Sequence, residues 1–357
     1  MTRIRLVLLC ALLLLPTIIS AQTPVMQLTF VGEQQIPTGY MFEDTEFGGI
    51  SSIAYDAKED VYYAISDDRS EHGYARTYTL TLDFDAESFD SVTIESVFEM
   101  RQDDGTSFAA QEPDAEGLAF VPATGTLIWS SERAPFLNEM ALTGDFMRAF
   151  TLPDYYIPGD GGVGVSDNQA FEALTVSANG QQIITATESA LMQDGPKATL
   201  EQGSLSRILV LDFVSGEVDA EYVYETGPIP HDATGGSAAD NGLTELLALD
   251  DDTLLAVERS FAQGVGNTIN IYSVELGEAT NVIGAESLND MTYIPVTKTP
   301  ILTLEEGDFG LDLDNIEGVT FGPEIDGRAT LVFVSDNNFN PRFQPFTQFL
   351  VFLVEVD

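Results

Sequence analysis

Five pairs of short apolar segments recur along the chain, and all five follow one plan. The first segment of each pair carries a polar residue near its start, a turn follows, and the second segment ends in an acid. The first segments are 50–55, 115–120, 171–176, 244–249 and 316–321. The second segments are 63–67, 128–132, 184–188, 254–258 and 332–336. Short apolar runs joined by turns rich in Gly, Asn and Asp predict β-hairpins.

The spacing of these hairpins predicts a repeat architecture. Counted at the second residue of each first segment, the hairpins begin at 51, 116, 172, 245 and 317. Such periods are typical of repeat folds. Two further strands follow most pairs, for example 76–84 and 92–100 after the first. Four antiparallel strands per repeat predict the blade of a β-propeller, so the fold class is all-β with five blades, or six if a long insertion hides one.

The last repeat has room for only three strands, the third of which spans 349–356. The missing strand can come from residues 26–34, and this pairing would close the ring and remove its exposed edges. Segments 153–169, 227–242 and 277–295 are rich in Gly, Asp, Asn and Ser and are predicted to be loops. No boundary interrupts the repeats, so residues 22–357 are predicted to form a single domain.

The N-terminus has the layout of a secretory signal peptide over residues 1–21. Arg3 and Arg5 precede an apolar run over 6–19, and small residues at Ser20 and Ala21 offer a cleavage site. An uncleaved membrane anchor is the alternative, although the run is short for a spanning helix. Cys10 lies inside this segment, so the mature chain would contain no cysteine. We expect an exported protein, secreted or periplasmic, without a stable membrane insertion.

Charge narrows the possible partners. The 357 residues include 58 Asp and Glu against 14 Lys and Arg, a formal net charge of −44. Such a surface repels nucleic-acid backbones and anionic lipids, so neither is an expected partner. One cysteine and two histidines argue against disulfide frameworks, thiolate zinc sites and most histidine-dependent catalysis. The sequence also lacks a Gly-x-Ser-x-Gly elbow, a Walker loop and a His-Glu-x-x-His motif. A cation is the natural small partner.

Aligning the repeats brings acidic residues together. A glutamate occupies the same place in four of the five repeats, where the first repeat has Ser51: Glu116, Glu172, Glu245 and Glu317. If the first strands line the propeller axis, these glutamates converge there. The acids that end the second strands form another tier: Asp67, Glu132, Glu188, Glu258 and Asp336. Asp314 lies just upstream of Glu317 and belongs to the same candidate site. Carboxylate oxygens at this density suit calcium best.

Two other interpretations of these acids remain open. Arg69, Arg133 and Arg259 come just behind second-strand acids and could pair with them. The repeated acids could also hydrogen-bond to the backbone of neighbouring blades and serve the fold alone. The three interpretations can coexist, because a ring of residues that holds blades together also shapes the mouth of the channel.

Several strings resemble the phytase-like family, also called the family with esterase-like activity of phytase. They include SDDR at 66–69, EGLA at 116–119, DNIEG at 314–318 and SDNNFNP at 335–341. The likeness runs from about Phe47 to Phe352. It implies a β-propeller, export and an ester or phosphoester hydrolase activity, without an agreed catalytic set to carry over. The Arg-His-Gly motif of histidine-type phytases is missing, and the separate calcium-dependent propeller phytases offer an analogy of fold only.

Two functions therefore stay open at the level of sequence. The first is a metal-assisted hydrolase in which calcium at the acids offsets phosphate charge, with the three arginines and Asn337 as candidate substrate contacts. The second is a non-catalytic propeller that binds a small molecule or a protein at its mouth and holds calcium for stability. A panel of phosphoesters tested with and without calcium would separate them.

Overall fold

The computed structural model describes residues 26–166, 168–289 and 291–356. Within them, five four-stranded antiparallel sheets stand in a ring, which confirms the predicted five-bladed propeller. The predicted signal peptide at 1–21 lies outside the described residues. In the described part of the chain, no helix has the length and apolar character needed to cross a membrane.

The strands follow one another around the ring in chain order. The chain begins with β1 (Met26–Pro37) and a small hairpin, β2 (Met41–Phe42) and β3 (Thr45–Glu46). Blade 1 contains β4 (Ile50–Asp56), β5 (Val61–Ser66), β6 (Arg76–Phe84) and β7 (Phe89–Glu99). Blade 2 contains β8 (Ala115–Val121), β9 (Thr126–Ser131), β10 (Phe136–Ala141) and β11 (Phe146–Phe150).

The remaining blades repeat this order. Blade 3 contains β12 (Phe171–Val176), β13 (Gln182–Thr187), β14 (Leu205–Asp212) and β15 (Val218–Glu225). Blade 4 contains β16 (Ala239–Ala248), β17 (Thr253–Ala262), β18 (Gly266–Glu275) and β19 (Thr297–Glu305). Blade 5 contains β20 (Asn315–Ile325), β21 (Arg328–Asp336) and β22 (Phe346–Val356) from the end of the chain. Two short 3-10 helices, Asp154–Tyr156 and Asp308–Gly310, lie in the connections.

The N-terminal strand closes the ring, as the sequence predicts. β1 pairs antiparallel with β22 from Met26 opposite Val356 to Pro37 opposite Phe346, and so becomes the outermost strand of blade 5. β1 thus covers the edge of β22 along its length, with a register shift between Phe30 and Gly32.

Each blade packs on the next through a buried apolar layer. One layer joins blades 5 and 1 through Val332 and Phe349 on one side and Ile53 and Tyr62 on the other. Such layers suit the sequence, because the β-branched and aromatic residues of these strands pack well on a pleated surface. The first strands β4, β8, β12, β16 and β20 lie innermost and contact one another around the axis. Side chains at the same end of these five strands therefore lie close together at the mouth of the channel.

Candidate functional site

A β-bulge interrupts each innermost strand at the same place. In β12, Phe171 pairs with Thr187 and Ala173 with Ala186, so that Glu172 has no partner in the ladder. A register shift recurs at the same place in the other four strands, and in β8 it leaves both Glu116 and Gly117 out of the ladder. The bulged positions are Ser51, Glu116, Glu172, Thr244 and Glu317. A bulge redirects its side chain, and here it turns polar residues toward the axis.

In blade 4 the alignment of the repeats predicted from the sequence is wrong by one residue. Leu243 pairs with Glu258 and Glu245 with Val257, so Thr244 occupies the place at which three other blades carry glutamate. Glu245 is instead paired within the ladder, opposite Val257. Its Oε2 accepts a hydrogen bond from Ser52 Oγ at 2.6 Å, and its Oε1 accepts one from Leu174 N at 2.9 Å. Glu245 thus fastens three blades together, away from the other glutamates.

The second strand of blade 4 carries the matching shift. Because Leu243 pairs with Glu258, Arg259 stands at the position that Asp67, Glu132, Glu188 and Asp336 hold in the other blades. Glu258 faces elsewhere, and its carboxylate accepts hydrogen bonds from Tyr224 and Lys298. The tier of second-strand acids predicted from the sequence therefore has four members, with an arginine as the fifth.

We call the groups gathered at this mouth the axial acid cluster. It comprises Asp67, Asp114, Glu116, Glu132, Glu172, Glu188, Glu317 and Asp336. Two triads are especially close. One oxygen each of Asp114, Glu116 and Glu132 lie within 4.8 Å of one another, and so do one oxygen each of Glu132, Glu172 and Glu188. Glu132 is common to both triads and joins blade 2 to blade 3.

Burial and mutual repulsion perturb these carboxyl groups. Burial, which disfavours the charged form, is the largest cause of the raised pKa values, and neighbouring carboxylates add to it; this holds for Asp67, Glu116, Glu132, Glu172, Glu188, Glu317 and Asp336. The pKa of Glu132 rises to about 8 through burial and the charge of Glu188. The pKa of Glu317 also rises to about 8, through burial and the charge of Asp336. The pKa values of Glu116 and Glu172 lie well above the ordinary range for the same reasons.

The donor set of the cluster fits a hard cation. Every candidate ligand is a carboxylate oxygen, the chemistry that calcium prefers. Within the described ranges, Glu172 Oε2 and Asp67 Oδ1 are buried without a hydrogen-bond partner. Such atoms are costly to bury unless something binds them. The triads around Glu132 could therefore hold a metal, while Ala170 N donates to Glu132 Oε1 at 2.8 Å and fixes its orientation.

Two of the three predicted arginines reach the cluster. Arg259 lies 3.3 Å from Glu317, 3.7 Å from Glu188 and 3.2 Å from Asp240, and its side chain is 12% exposed. Arg69 lies 2.5 Å from Asp114 and is 34% exposed. Both arginines therefore offset part of the negative charge rather than stand free.

The third arginine and Asn337 lie elsewhere. Arg133 is exposed and, among the residues that the structure covers, forms no salt bridge. Asn337 is fully buried, and its Oδ1 accepts hydrogen bonds from Gly49 N and Phe339 N, both at 3.0 Å. Its side-chain amide also donates to Thr38 at 3.1 Å. Asn337 therefore ties the end of β21 in blade 5 to the segment just before β4 in blade 1.

Asp314 and Asp336 lie at the blade 5 side of the site. Asp314 accepts hydrogen bonds from Ser335 at 2.8 Å and Gln344 at 3.2 Å, and burial raises its pKa to about 6. Burial and the charge of Asp67 raise the pKa of Asp336 well above its ordinary value. Asp336 accepts a hydrogen bond from Asn338 N at 2.7 Å. The structure thus places Asp336 inside the cluster and Asp314 behind it.

Comparison with known proteins identifies one matching family. The sequence matches the phytase-like family, described as "Esterase-like activity of phytase", over residues 45–339. No curated protein matches the chain. Among solved structures, Kuenenia stuttgartiensis hydrazine synthase is 11% identical with a TM-score of 0.37, over 85% of this chain and 62% of that one. The chain thus spans less than two thirds of that protein. A DUF4221 family member from Bacteroides vulgatus is 9% identical with a TM-score of 0.43, over 93% of this chain and 99% of that one.

Proposed function

Because the chain belongs to the phytase-like family, we propose that its axial acid cluster binds calcium and that the same mouth hydrolyses an ester or phosphoester. One observation carries this proposal. Two triads of carboxylate oxygens share Glu132, and Glu172 at their edge has a buried oxygen without a hydrogen-bond partner. Carboxylates so close cannot all ionise unless a cation compensates them.

The residues that would hold the cation come from blades 2 and 3. Asp114, Glu116 and Glu132 form one possible ligand set, and Glu132, Glu172 and Glu188 the other. When bound, calcium would offset the charge of a phosphate or of an ester oxygen. It would also overcome the main objection to an anionic substrate, the strong negative charge of the protein.

The chain's own residues then supply orientation and proton transfer. Arg259, partly exposed at the blade 4 side, can donate hydrogen bonds to a substrate oxygen, and Arg69 can do so from blade 1. Glu317 is 12% exposed, and its pKa of about 8 lets it hold or release a proton near neutral pH. Hydrogen bonds from Asn315 Nδ2 and Arg259 orient its Oε1. We infer that Glu317 transfers the proton.

One observation favours the non-catalytic alternative. Arg259 already contacts three carboxylates, and Arg69 contacts Asp114 and Asn168. If these two arginines do not leave their partners, neither of them is free to bind an anionic substrate. In this alternative, calcium stabilises a propeller whose mouth binds a ligand without turnover.

The test compares calcium binding with hydrolysis in the same preparation. The mature chain from Gln22 is stripped of metal, and the release of phosphate or alcohol from a panel of esters is followed with calcium and with a chelator. We expect calcium-dependent turnover that Glu172→Gln reduces at least about tenfold, since it removes one ligand charge. Glu245→Gln is the matched control, because the structure places that glutamate outside the cluster. Calcium binding without any turnover would reject the hydrolase and leave the alternative.

Export belongs to the same proposal. The basic start, the apolar run and the Ser20-Ala21 exit support removal of residues 1–21 and a function beyond the cytoplasmic membrane. An extracellular or periplasmic location also suits a calcium site of moderate affinity, since extracellular modules bind calcium at higher concentrations than cytosolic ones. We propose small molecules as partners, and neither nucleic acid nor membrane.

A further inference from the structure

A cavity of about 520 Å³ opens on the rim of blade 2, beside the axial acid cluster. Its volume lies in the range of small-molecule sites. Two loops form it, the one before β8 and the one between β9 and β10. The residues that matter most to its chemistry are Phe108, Gln111, Pro113, Arg133, Ala134 and Phe136.

The floor of this rim pocket is aromatic. Phe108 and Phe136 are both half-buried, and both stand edge-on against Trp129 beneath them. The ring centroids lie 5.8 Å apart for Phe108 and Trp129 and 5.0 Å apart for Trp129 and Phe136. Trp129 holds the two phenyl rings in place, so their outer faces form a prearranged surface for a flat apolar group.

Arg133 supplies the charge of the pocket. It is exposed and, in the part of the chain described here, has no carboxylate as a salt-bridge partner, unlike Arg69 and Arg259. In a protein with a net charge of −44, few positively charged groups are available to attract an anion, and the guanidinium of Arg133 is one of them. Glu112 also lines the pocket, so the lining contains one basic and one acidic residue. The ligand must therefore be apolar in its body and anionic at the end that meets Arg133.

The pocket is continuous in sequence with the cluster. Arg133 directly follows Glu132, and Pro113 directly precedes Asp114, so their Cα atoms are separated by a single peptide unit of about 3.8 Å. Left-handed backbone at Gln111 (φ 70°) and Ala134 (φ 51°) turns the two loops around the opening. Non-glycine residues hold this conformation only where the surroundings impose it, as they do at many binding sites.

We propose that the rim pocket binds aryl phosphomonoesters, with the aromatic ring over Phe108 and Phe136 and the phosphate at Arg133. As a statement about the substrate that is turned over, this rests on the proposed hydrolase. As a statement about binding, it needs neither calcium nor catalysis, because Arg133 and the phenyl rings lie outside the cluster.

The single tryptophan of the chain makes the pocket measurable. Trp129 contacts both phenyl rings of the floor, so its fluorescence reports on their surroundings. The probe is phenylphosphonate, whose carbon–phosphorus bond resists hydrolysis, titrated in the presence of a chelator. We expect a saturable change in emission, and a much weaker response to inorganic phosphate, which lacks the ring. Arg133→Gln should raise the dissociation constant about tenfold or more, the loss of one charge-assisted contact.

Arg342→Gln is the matched control, since Arg342 is also exposed and lies in the loop before β22, far along the chain from the pocket. It should bind the probe as the wild type does. No saturable change with phenylphosphonate, an equal response to inorganic phosphate, or equal effects of the two arginine variants would overturn the proposal. Because the titration runs without calcium and without turnover, its failure is separate from a failure of the proposed hydrolase.

Discussion

Glu245 offers the sharpest test of the physical reasoning, because it is a fully buried carboxyl group without a cationic partner in its hydrogen-bond set. Burial raises its pKa from 4.5 to about 8, against the opposing effect of hydrogen bonds from Ser52 and from the backbone of Leu174 and Leu246. Replacement by glutamine, Glu245→Gln, imitates the protonated acid. The new amide nitrogen can donate to Ser52 Oγ, which lies 2.6 Å from the carboxyl oxygen.

The magnitude follows from the shift. In the folded protein Glu245 keeps its proton up to pH about 8, whereas in the unfolded chain it loses the proton above about 4.5. The folded state therefore binds more protons in this window, and the wild type loses stability as the pH rises through it. The loss is about 1.4 kcal/mol per pH unit, or about 3 kcal/mol between pH 5 and 7. Glu245→Gln has no such proton to lose.

The assay is thermal unfolding of both proteins between pH 5 and 8 at fixed ionic strength and in chelator. We compare the melting temperature of Glu245→Gln with that of the wild type at each pH. The difference, variant minus wild type, should increase by about 5 °C between pH 5 and 7, because one kcal/mol corresponds to about 2 °C in a chain of this size. The axial acid cluster is common to both proteins and cancels in the difference. A constant difference across this range would refute the assignment of a buried, protonated Glu245.

A second buried glutamate serves as the control. Glu139 accepts hydrogen bonds from Thr126 and Arg148, both at 2.6 Å, and so has a cationic partner. Glu139→Gln removes an ion pair and should lower the melting temperature at pH 7. Glu245→Gln removes no ion pair and should not share this loss.

Three further predictions concern the ends of the chain and the mouth. Removal of residues 22–37 should abolish cooperative unfolding in calorimetry, because it exposes the whole edge of β22; a truncated chain that melts like the mature protein would contradict ring closure. N-terminal sequencing of the exported protein should begin at Gln22 or within a few residues, and an intact Met1 in a membrane fraction would count against export. Gly49→Ala should lower the melting temperature in calorimetry, because Gly49 has φ 59° and a Cβ there would collide with Asp67 Oδ1; an unchanged melting temperature would show that Asp67 can move freely.

The architecture could be predicted from the sequence because every blade repeats the same apolar layer. Segments such as 349–354 in β22 are almost continuously apolar, and residues of this kind are expected only in a strand covered on both faces. The last repeat lacks a fourth strand, and the apolar segment 26–34 ahead of the first repeat can supply it. Burial and backbone pairing together thus determine the ring closure.

The register within blade 4 could not be predicted from the acids alone. The sequence alignment took Glu245 and Glu258 as members of the repeated tiers, whereas the bulge places Thr244 and Arg259 there. Relative to the other repeats, both strands of the blade 4 hairpin are offset by one residue in the same direction. The pairing between the two strands is therefore compatible with either alignment of the repeats. A better signal is the buried residue before each bulge, since Ile50, Phe171, Leu243 and Ile316 all precede the bulged position. The apolar residues mark the buried positions that all blades share, whereas a glutamate one position away, such as Glu245, can have a different role.

The arginine of blade 4 explains how the mouth can fold before any cation binds. Four blades present an acid at the end of the second strand, and a fifth acid there would add another unpaired charge at the axis. Arg259 takes that place and contacts Glu188 and Glu317 on either side, from blades 3 and 5. Protonation can neutralise several of the remaining carboxyl groups, since their pKa values are raised. Arg259 and protonation thus offset part of the negative charge of the metal-free mouth, and the triads around Glu132 on blades 2 and 3 are the groups at which a bound cation would relieve the most repulsion.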